Sequence, residues 1–283
     1  MSPSTPRVAA MLADARSAGC AVAAINIVDV ATMDGVLAAA ATRGSPIIVQ
    51  AAARTARLWG PDVLAAAFRS LSKRYAGESA LALDHCQDVD LIDACLAAGW
   101  DLVLFDGSGL PVAENIAITR SVVERARRHG ASVEGELEAM RGHEHGTGSG
   151  DDIPLAPIDA SVAFIKATGI DCFAPAIGNI HGRSRTPAVL DIPRAASIAE
   201  LGGVPLVLHG GTGLDPADMR RLVAVGCAKV NVSTALREAS MDAIREALPG
   251  AGEEPGLVFD AMRVAAGVVA ADTLAIVTSA GRP

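Results

Sequence analysis

The sequence predicts an α/β fold in which eight buried strands alternate with helices and close on themselves, and three observations carry that prediction. Short apolar runs recur along the chain, each followed by turn residues and then by a helical apolar pattern. The alternation keeps its spacing throughout, with no linker-like break. Polar residues fall at the C-terminal ends of the runs, at His85, Asp106, Glu136, His209 and Asn231, with His181 just beyond one. An open doubly wound sheet competes with this reading, but only a closed barrel brings all those ends round one mouth.

Ala21 to Ile27 reads as the first strand, and Asp29 and Thr32 can cap the helix that runs through Ala41. Ile47 to Gln50 is the second, and the helix from Pro61 to Tyr75 carries proline in its first turn, where the missing N–H costs nothing. Leu81 to His85 is the third; Asp88 starts the next helix and Gly99 ends it. Leu102 to Phe105 is the fourth, before a helix from Pro111 to His129. Ser132 to Met140 sets Glu134, Glu136 and Glu138 at alternate positions and reads as the fifth strand. Arg141 to Asp152 is polar and glycine-rich, a long loop rather than a linker, because the alternation resumes at Asp159.

Asp171 to Gly178 is the sixth strand and Asp191 to Leu201 a helix. Val204 to Leu208 and Ala228 to Val232 are the last two, separated by Gly210-Gly211-Thr212-Gly213 and a helix starting at Asp215-Pro216. Helical patterns to Leu248 and from Leu257 to Ala271 are extra, suited to covering a face or docking on a partner. The expectation is one (β/α)8 TIM-barrel domain over residues 1–283 with extra C-terminal helices.

A chain of 283 residues with 51% hydrophobic content can bury a sizeable core. The net charge of -8 argues against a nucleic-acid or anionic-membrane partner, though a positive pocket can exist inside an acidic protein. No apolar run reaches membrane-spanning length and the N-terminal residues lack a signal-peptide layout, so a soluble cytoplasmic protein is expected. The five cysteines are scattered without a C-x-x-C pair and read as reduced, buried small residues. Cys86 adjoins Asp84-His85, but no helper base stands at nucleophile spacing.

Of six histidines, His85, His181 and His209 lie at or just past the ends of separate strands. Gathered on a barrel mouth, three imidazoles make a divalent site with an open position, the arrangement in which zinc acts as a Lewis acid. His129 ends a basic helix and reads as surface. The loops after His181 and His209, with Asn231 to Thr234, offer donors where many barrels hold phosphate. His143-Glu144-His145 lies on a loop, a poor place for a preorganised ligand pair; Glu144 could instead remove a proton once water is excluded, and a plain solvated loop is the alternative.

Six ordered strings carry a resemblance: LDHC from Leu83, DGSGLPVAENI from Asp106, SVEGEL from Ser132, AIGNIHG from Ala176, LVLHGGTG from Leu206 and KVNVST from Lys229. From about Val22 to Arg263 the chain resembles the class II, zinc-dependent ketose-bisphosphate aldolases, nearest the tagatose- and fructose-bisphosphate branch.

The resemblance implies zinc held by His85, His181 and His209, with Glu136 able to approach the metal when it shifts. It makes Asp84 the acid–base group at the aldehyde oxygen and Glu144 the loop base at the carbon next to the ketone. Gly182, Gly210, Gly211, Thr212, Gly213, Asn231, Ser233 and Thr234 would hold the dihydroxyacetone phosphate end, and Arg263 would reach the far phosphate of a neighbouring subunit's substrate. It further implies a monovalent cation, sodium or potassium, and a homodimer or homotetramer.

The implied reaction is reversible cleavage of a ketose 1,6-bisphosphate through a zinc-stabilised enediolate. No lysine is placed for a Schiff base, since Lys73 and Lys166 sit on helices and Lys229 begins a strand. Departures from the family pattern are Arg183 to Pro187 in place of a lysine-bearing loop, Ala235 in place of an acid, Glu138 in place of a glycine, and Gln50-Ala51-Ala52 without a hydroxyl. Another phosphorylated ketose, a zinc-dependent hydrolase on the same barrel, and a non-catalytic sugar-phosphate binder are the competing readings.

Overall fold

A computed structural model describes residues 5–142, 155–182 and 188–278. The first half of the chain runs α1 (Arg7–Ser17), β1 (Val22–Asn26), α2 (Val30–Arg43), β2 (Ile47–Ala52), α3 (Ala53–Trp59), α4 (Pro61–Ser72), β3 (Ser79–Cys86), α5 (Val89–Ala97), β4 (Leu102–Phe105) and α6 (Val112–Arg128). The second half runs β5 (Ser132–Glu136), β6 (Arg141–Gly142), α7 (Ile158–Thr168), β7 (Cys172–Ala174), β8 (Ile180–His181), α8 (Ile192–Gly202), β9 (Leu206–Leu208), α9 (Pro216–Ala224), β10 (Cys227–Val232), α10 (Thr234–Ala251) and α11 (Gly256–Val277).

The barrel closes in the order β1-β10-β9-β7-β5-β4-β3-β2, with every pair parallel. The expected (β/α)8 barrel is therefore the fold, and the open sheet is excluded by the pairing of β1 with β10. Parallel strands buried on both faces need continuous apolar sequence, which is why the strands were legible as runs rather than alternations. Local signals hold too: Asp29 and Thr32 form a reciprocal capping box on α2, and Asp88 accepts from the first turn of α5.

Four expectations change. The sixth strand stops at Ala174 because Pro175 has no N–H to continue the ladder, so His181 rides on β8, which pairs with β6 outside the barrel. The fifth stops at Glu136 rather than Met140. Beyond it Glu138 turns inward to pair with Arg194 at 2.9 Å and to accept the Ala156 N–H, which accounts for a carboxylate where the resemblance implied a glycine. Burial raises the Glu138 carboxyl; the Ala156 N–H and the Arg194 charge oppose that. The short helix α3 follows β2 directly, and α1 precedes the first strand.

Helix α1 closes the barrel floor. Val8, Met11 and Leu12 pack with the small inward residues Ala24, Ala80, Ala82, Cys172 and Ala228. Its amide at Ala9 donates to Ser132 Oγ at the start of β5. At the other side, α11 packs against α2 at a crossing where a Cβ on Gly35 would lie 2.0 Å from the Arg263 carbonyl oxygen. Gly35→Ala is thus expected to force the helices apart and cost about 1–3 kcal/mol, read as a lower denaturant midpoint at unchanged slope. A midpoint equal to that of the parent protein would contradict that contact.

Candidate active site

Strand ends supply the site. The register between β3 and β4 shifts between Leu83 and Cys86, and His85 takes the left-handed backbone conformation at φ 37°. Such a conformation is costly for a residue with a Cβ, and here it turns the imidazole inward over the barrel. His209 follows β9 directly, and His181 arrives from β8. All three are buried, with ring centroids 4.7 to 5.6 Å apart. One ligand atom from each lies within 4.8 Å of the others. The three histidines of the sequence reading thus meet.

His85 Nε2 faces His209 Nδ1 at 3.0 Å. The far nitrogens are both engaged: His85 Nδ1 meets Asp106 Oδ2 at 3.0 Å, and His209 Nε2 meets Glu134 Oε1 at 2.6 Å. Glu136 Oε2 is buried, 3.5 Å from His209 Nδ1 and 3.9 Å from His85 Nδ1, and accepts no hydrogen bond among the described residues. Asp84 accepts from Asn26 Nδ2 at 2.7 Å and Asn231 Nδ2 at 3.3 Å, and Gln50 in turn donates to Asn26 at 2.7 Å.

The electrostatics are those of a site wanting a cation. Burial, joined by repulsion from Asp106, Glu134 and Asp84, drives the Glu136 carboxyl far above its usual range, with only His85 strongly opposing it. Burial works to lower His85, yet the charge of Glu136 and the Asp106 bond lift it to about 10. His181 is pushed down to about 2 by burial and by the charge on its two neighbours. Burial would raise Asp84, but His85, His209, Lys229 and the Asn26 bond hold it well below the carboxylate range. Four carboxylates and three imidazoles in one buried pocket can stay deprotonated together only if a cation compensates them, and a nitrogen-rich donor set suits zinc.

Beside this cluster lies the glycine-built loop expected to face an anion. Gly210 at φ 70° passes so close to the chain that a Cβ would sit 2.2 Å from Ile180 O, so the loop admits only glycine there. The Gly211 N–H is committed to Asn231 O at 3.0 Å, which pins the loop to β10. Thr212 Oγ accepts the Ala235 N–H at 3.1 Å. The buried Ser233 hydroxyl has no hydrogen-bond partner among the described residues and sits at the N-terminus of α10, where Thr234 begins the helix. Gly182 and Gly213 take positive φ of 80° each at the loop turns.

Arg263 stands apart on α11, paired with Asp34 at 3.9 Å and Asp260 at 3.6 Å and, among the described residues, with none of the pocket. Glu144, and the segment from Arg183 to Pro187, lie outside the described residues. Sequence reasoning gave no site role to Asn26, Gln50, Asn179 or Lys229. Asn179 Nδ2 donates to the His209 carbonyl oxygen at 3.1 Å, and its Oδ1 accepts the Ile177 N–H at 3.0 Å. The signal for Lys229 was its place two residues before Asn231 in a strand, hence on the same inward face.

A parallel barrel whose mouth carries a three-histidine candidate metal site next to a glycine-rich loop has the architecture of a metal-assisted barrel enzyme. The model of the family "Fructose-bisphosphate aldolase class-II" matches residues 6–282. A Bacillus subtilis (strain 168) protein named "Probable fructose-bisphosphate aldolase" is 34% identical over 86% of this chain and 86% of its own length.

Among solved structures, the YdjI aldolase of Escherichia coli K12 superposes with a TM-score of 0.83 at 25% identity, covering 96% of this chain and 97% of that one. The fructose-bisphosphate aldolase of Campylobacter jejuni shares the fold, with a TM-score of 0.82 at 18% identity over 95% and 93% of the two chains. The chain belongs to the class II fructose-bisphosphate aldolase family, and it is an aldehyde-lyase. The hydrolase and the non-catalytic binder are thereby set aside. No helix among the described residues is long and apolar enough to cross a membrane.

Proposed function

We propose that this enzyme reversibly splits a ketose 1,6-bisphosphate of the fructose or tagatose type into dihydroxyacetone phosphate and an aldehyde, using zinc. The observation that carries the reading is the pair of inward nitrogens, His85 Nε2 and His209 Nδ1, 3.0 Å apart beside an ionised Asp84 and a glycine cradle. His85, His181 and His209 would hold the zinc, with the unsatisfied Glu136 Oε2 as a further oxygen within reach. When bound, the metal supplies a Lewis acid that stabilises negative charge developing at the ketone oxygen.

The protein groups do the rest. In cleavage Asp84 takes the proton of the C4 hydroxyl as that carbon becomes the aldehyde, and the electrons of the breaking C3–C4 bond pass to the triose half. The positive surroundings of Asp84 and the Asn26 amide favour its ionised form for that step, and the Asn231 amide helps to orient it. Glu144 returns a proton to the triose carbon in cleavage and removes it in condensation. Gly182, Gly210, Gly211, Thr212, Gly213, Asn231, Ser233 and Thr234 grip the phosphate and keto-hydroxy end; the buried unpaired Ser233 hydroxyl and the α10 N-terminus support this.

Arg263 would meet the second phosphate in a neighbouring subunit, which makes a homodimer or homotetramer the working unit. Its half-buried position on α11, beside exposed Val264 and Val268, supports that role. A sodium or potassium ion would accompany the phosphate. The enzyme acts as one domain over residues 1–283 in the cytoplasm. The deciding assay offers fructose and tagatose 1,6-bisphosphates separately and measures triose phosphate release. Turnover of one above the other fixes the C4 configuration; release of inorganic phosphate with no triose phosphate would overturn the reading.

A further inference from the structure

Lys229 lies fully inside the barrel at 1% exposure, in the middle of β10 rather than at its outer end. Its ammonium donates to Glu134 Oε2 at 2.7 Å and to Asn231 Oδ1 at 2.8 Å. An ammonium has donors only, so both oxygens must accept, and that fixes the sense of every bond beyond them. With Oε2 held by Lys229, the Glu134 carboxylate can only accept at Oε1, so His209 must carry its proton on Nε2. In the neutral ring the lone pair is then left on Nδ1, which faces His85 Nε2 at 3.0 Å.

On the opposite side the same logic turns the Asn231 amide nitrogen toward Asp84 Oδ1. A buried charge pair of this kind is a costly feature for the fold alone, and an apolar pair of equal volume would serve packing as well. Its position, one bond from a proposed metal ligand and one amide from the proposed proton acceptor, gives it another purpose.

We propose that Lys229 is a positioning residue for both halves of the site, fixing the His209 tautomer through Glu134 and the Asn231 amide orientation toward Asp84. The inference rests on the zinc reading above for its metal half, and on the residues alone for the tautomer. Outer partners of metal-bound histidines commonly set metal affinity in this way. Here one cation sets two partners at once.

The test begins with metal-free parent protein labelled with ¹⁵N-histidine, where His209 is expected to show the Nε2–H tautomer. In Lys229→Met, matched in length and unable to donate, a second tautomer is expected to appear. Zinc affinity, measured by chelator competition, should fall about 10–100-fold. At saturating zinc, kcat should stay about tenfold low with KM little changed, the size of one lost orienting bond. An Nδ1–H tautomer in the parent protein would overturn the proposal even if the variant fails to fold. So would a folded variant with unchanged tautomer and zinc affinity. A parent protein that binds no zinc would sink the metal reading, while the tautomer measurement still decides the role of Lys229.

Discussion

Stripping the metal is expected to abolish aldol cleavage, lowering kcat by about three orders of magnitude or more, with recovery when zinc is returned. Lewis-acid stabilisation of a developing oxyanion contributes several kcal/mol, and each ~1.36 kcal/mol is tenfold in rate. Among the described residues the pocket holds no lysine at the mouth to take over by Schiff base: Lys229 is locked to Glu134 and Asn231 below it, Lys73 caps the end of α4 and Lys166 is on α7. The barrel itself should survive, since the core between its helices and strands is apolar and separate from the pocket. Circular dichroism would confirm the fold, metal analysis the occupancy, and a coupled triose phosphate assay the rate. Full activity in protein shown to be metal-free would refute the mechanism.

Asp84→Ala is expected to lower kcat by about 10²–10⁴-fold while zinc content stays near that of the parent, because the role proposed for the side chain is to handle a proton and it is not among the imidazole ligands. Asp84→Asn should be no better than alanine. Both neighbours, Asn26 and Asn231, present amide nitrogens to this position, and a third amide would meet at least one of them donor to donor. Measuring kcat and zinc stoichiometry together separates proton transfer from metal loss. A variant within tenfold of the parent kcat at full zinc content would remove Asp84 from the chemistry.

What the sequence revealed and hid follows from the physics of a barrel. Parallel strands buried on both faces leave long apolar runs, so their number and order were readable, as were the caps at Asp29 and Asp88. Histidines are rare enough in this chain that their positions at strand ends stood out. The second layer was hidden for the opposite reason. Glu134 and Lys229 sit mid-barrel or lower, where a charged residue in an apolar run looks like noise until its partner, 95 positions away, is known. The β7 boundary failed on a single residue, Pro175, which the apolar pattern alone did not weigh. Helix α1 is short and its apolar positions, Val8, Met11 and Leu12, gain meaning only from the floor they cover.

That floor has a consequence for the charges above it. Glu134 and Lys229 attract strongly only while bulk water is kept out, and with so many alanines lining the lower lumen the side chains of the strands cannot keep it out alone. Helix α1, clustered with Cys172 beneath Glu134, therefore serves as electrical insulation for the pocket above it. A fusion or cut that loosens Arg7–Ser17 would raise the dielectric beneath the pocket, and its first symptom would be weaker metal retention at neutral pH rather than a lost fold.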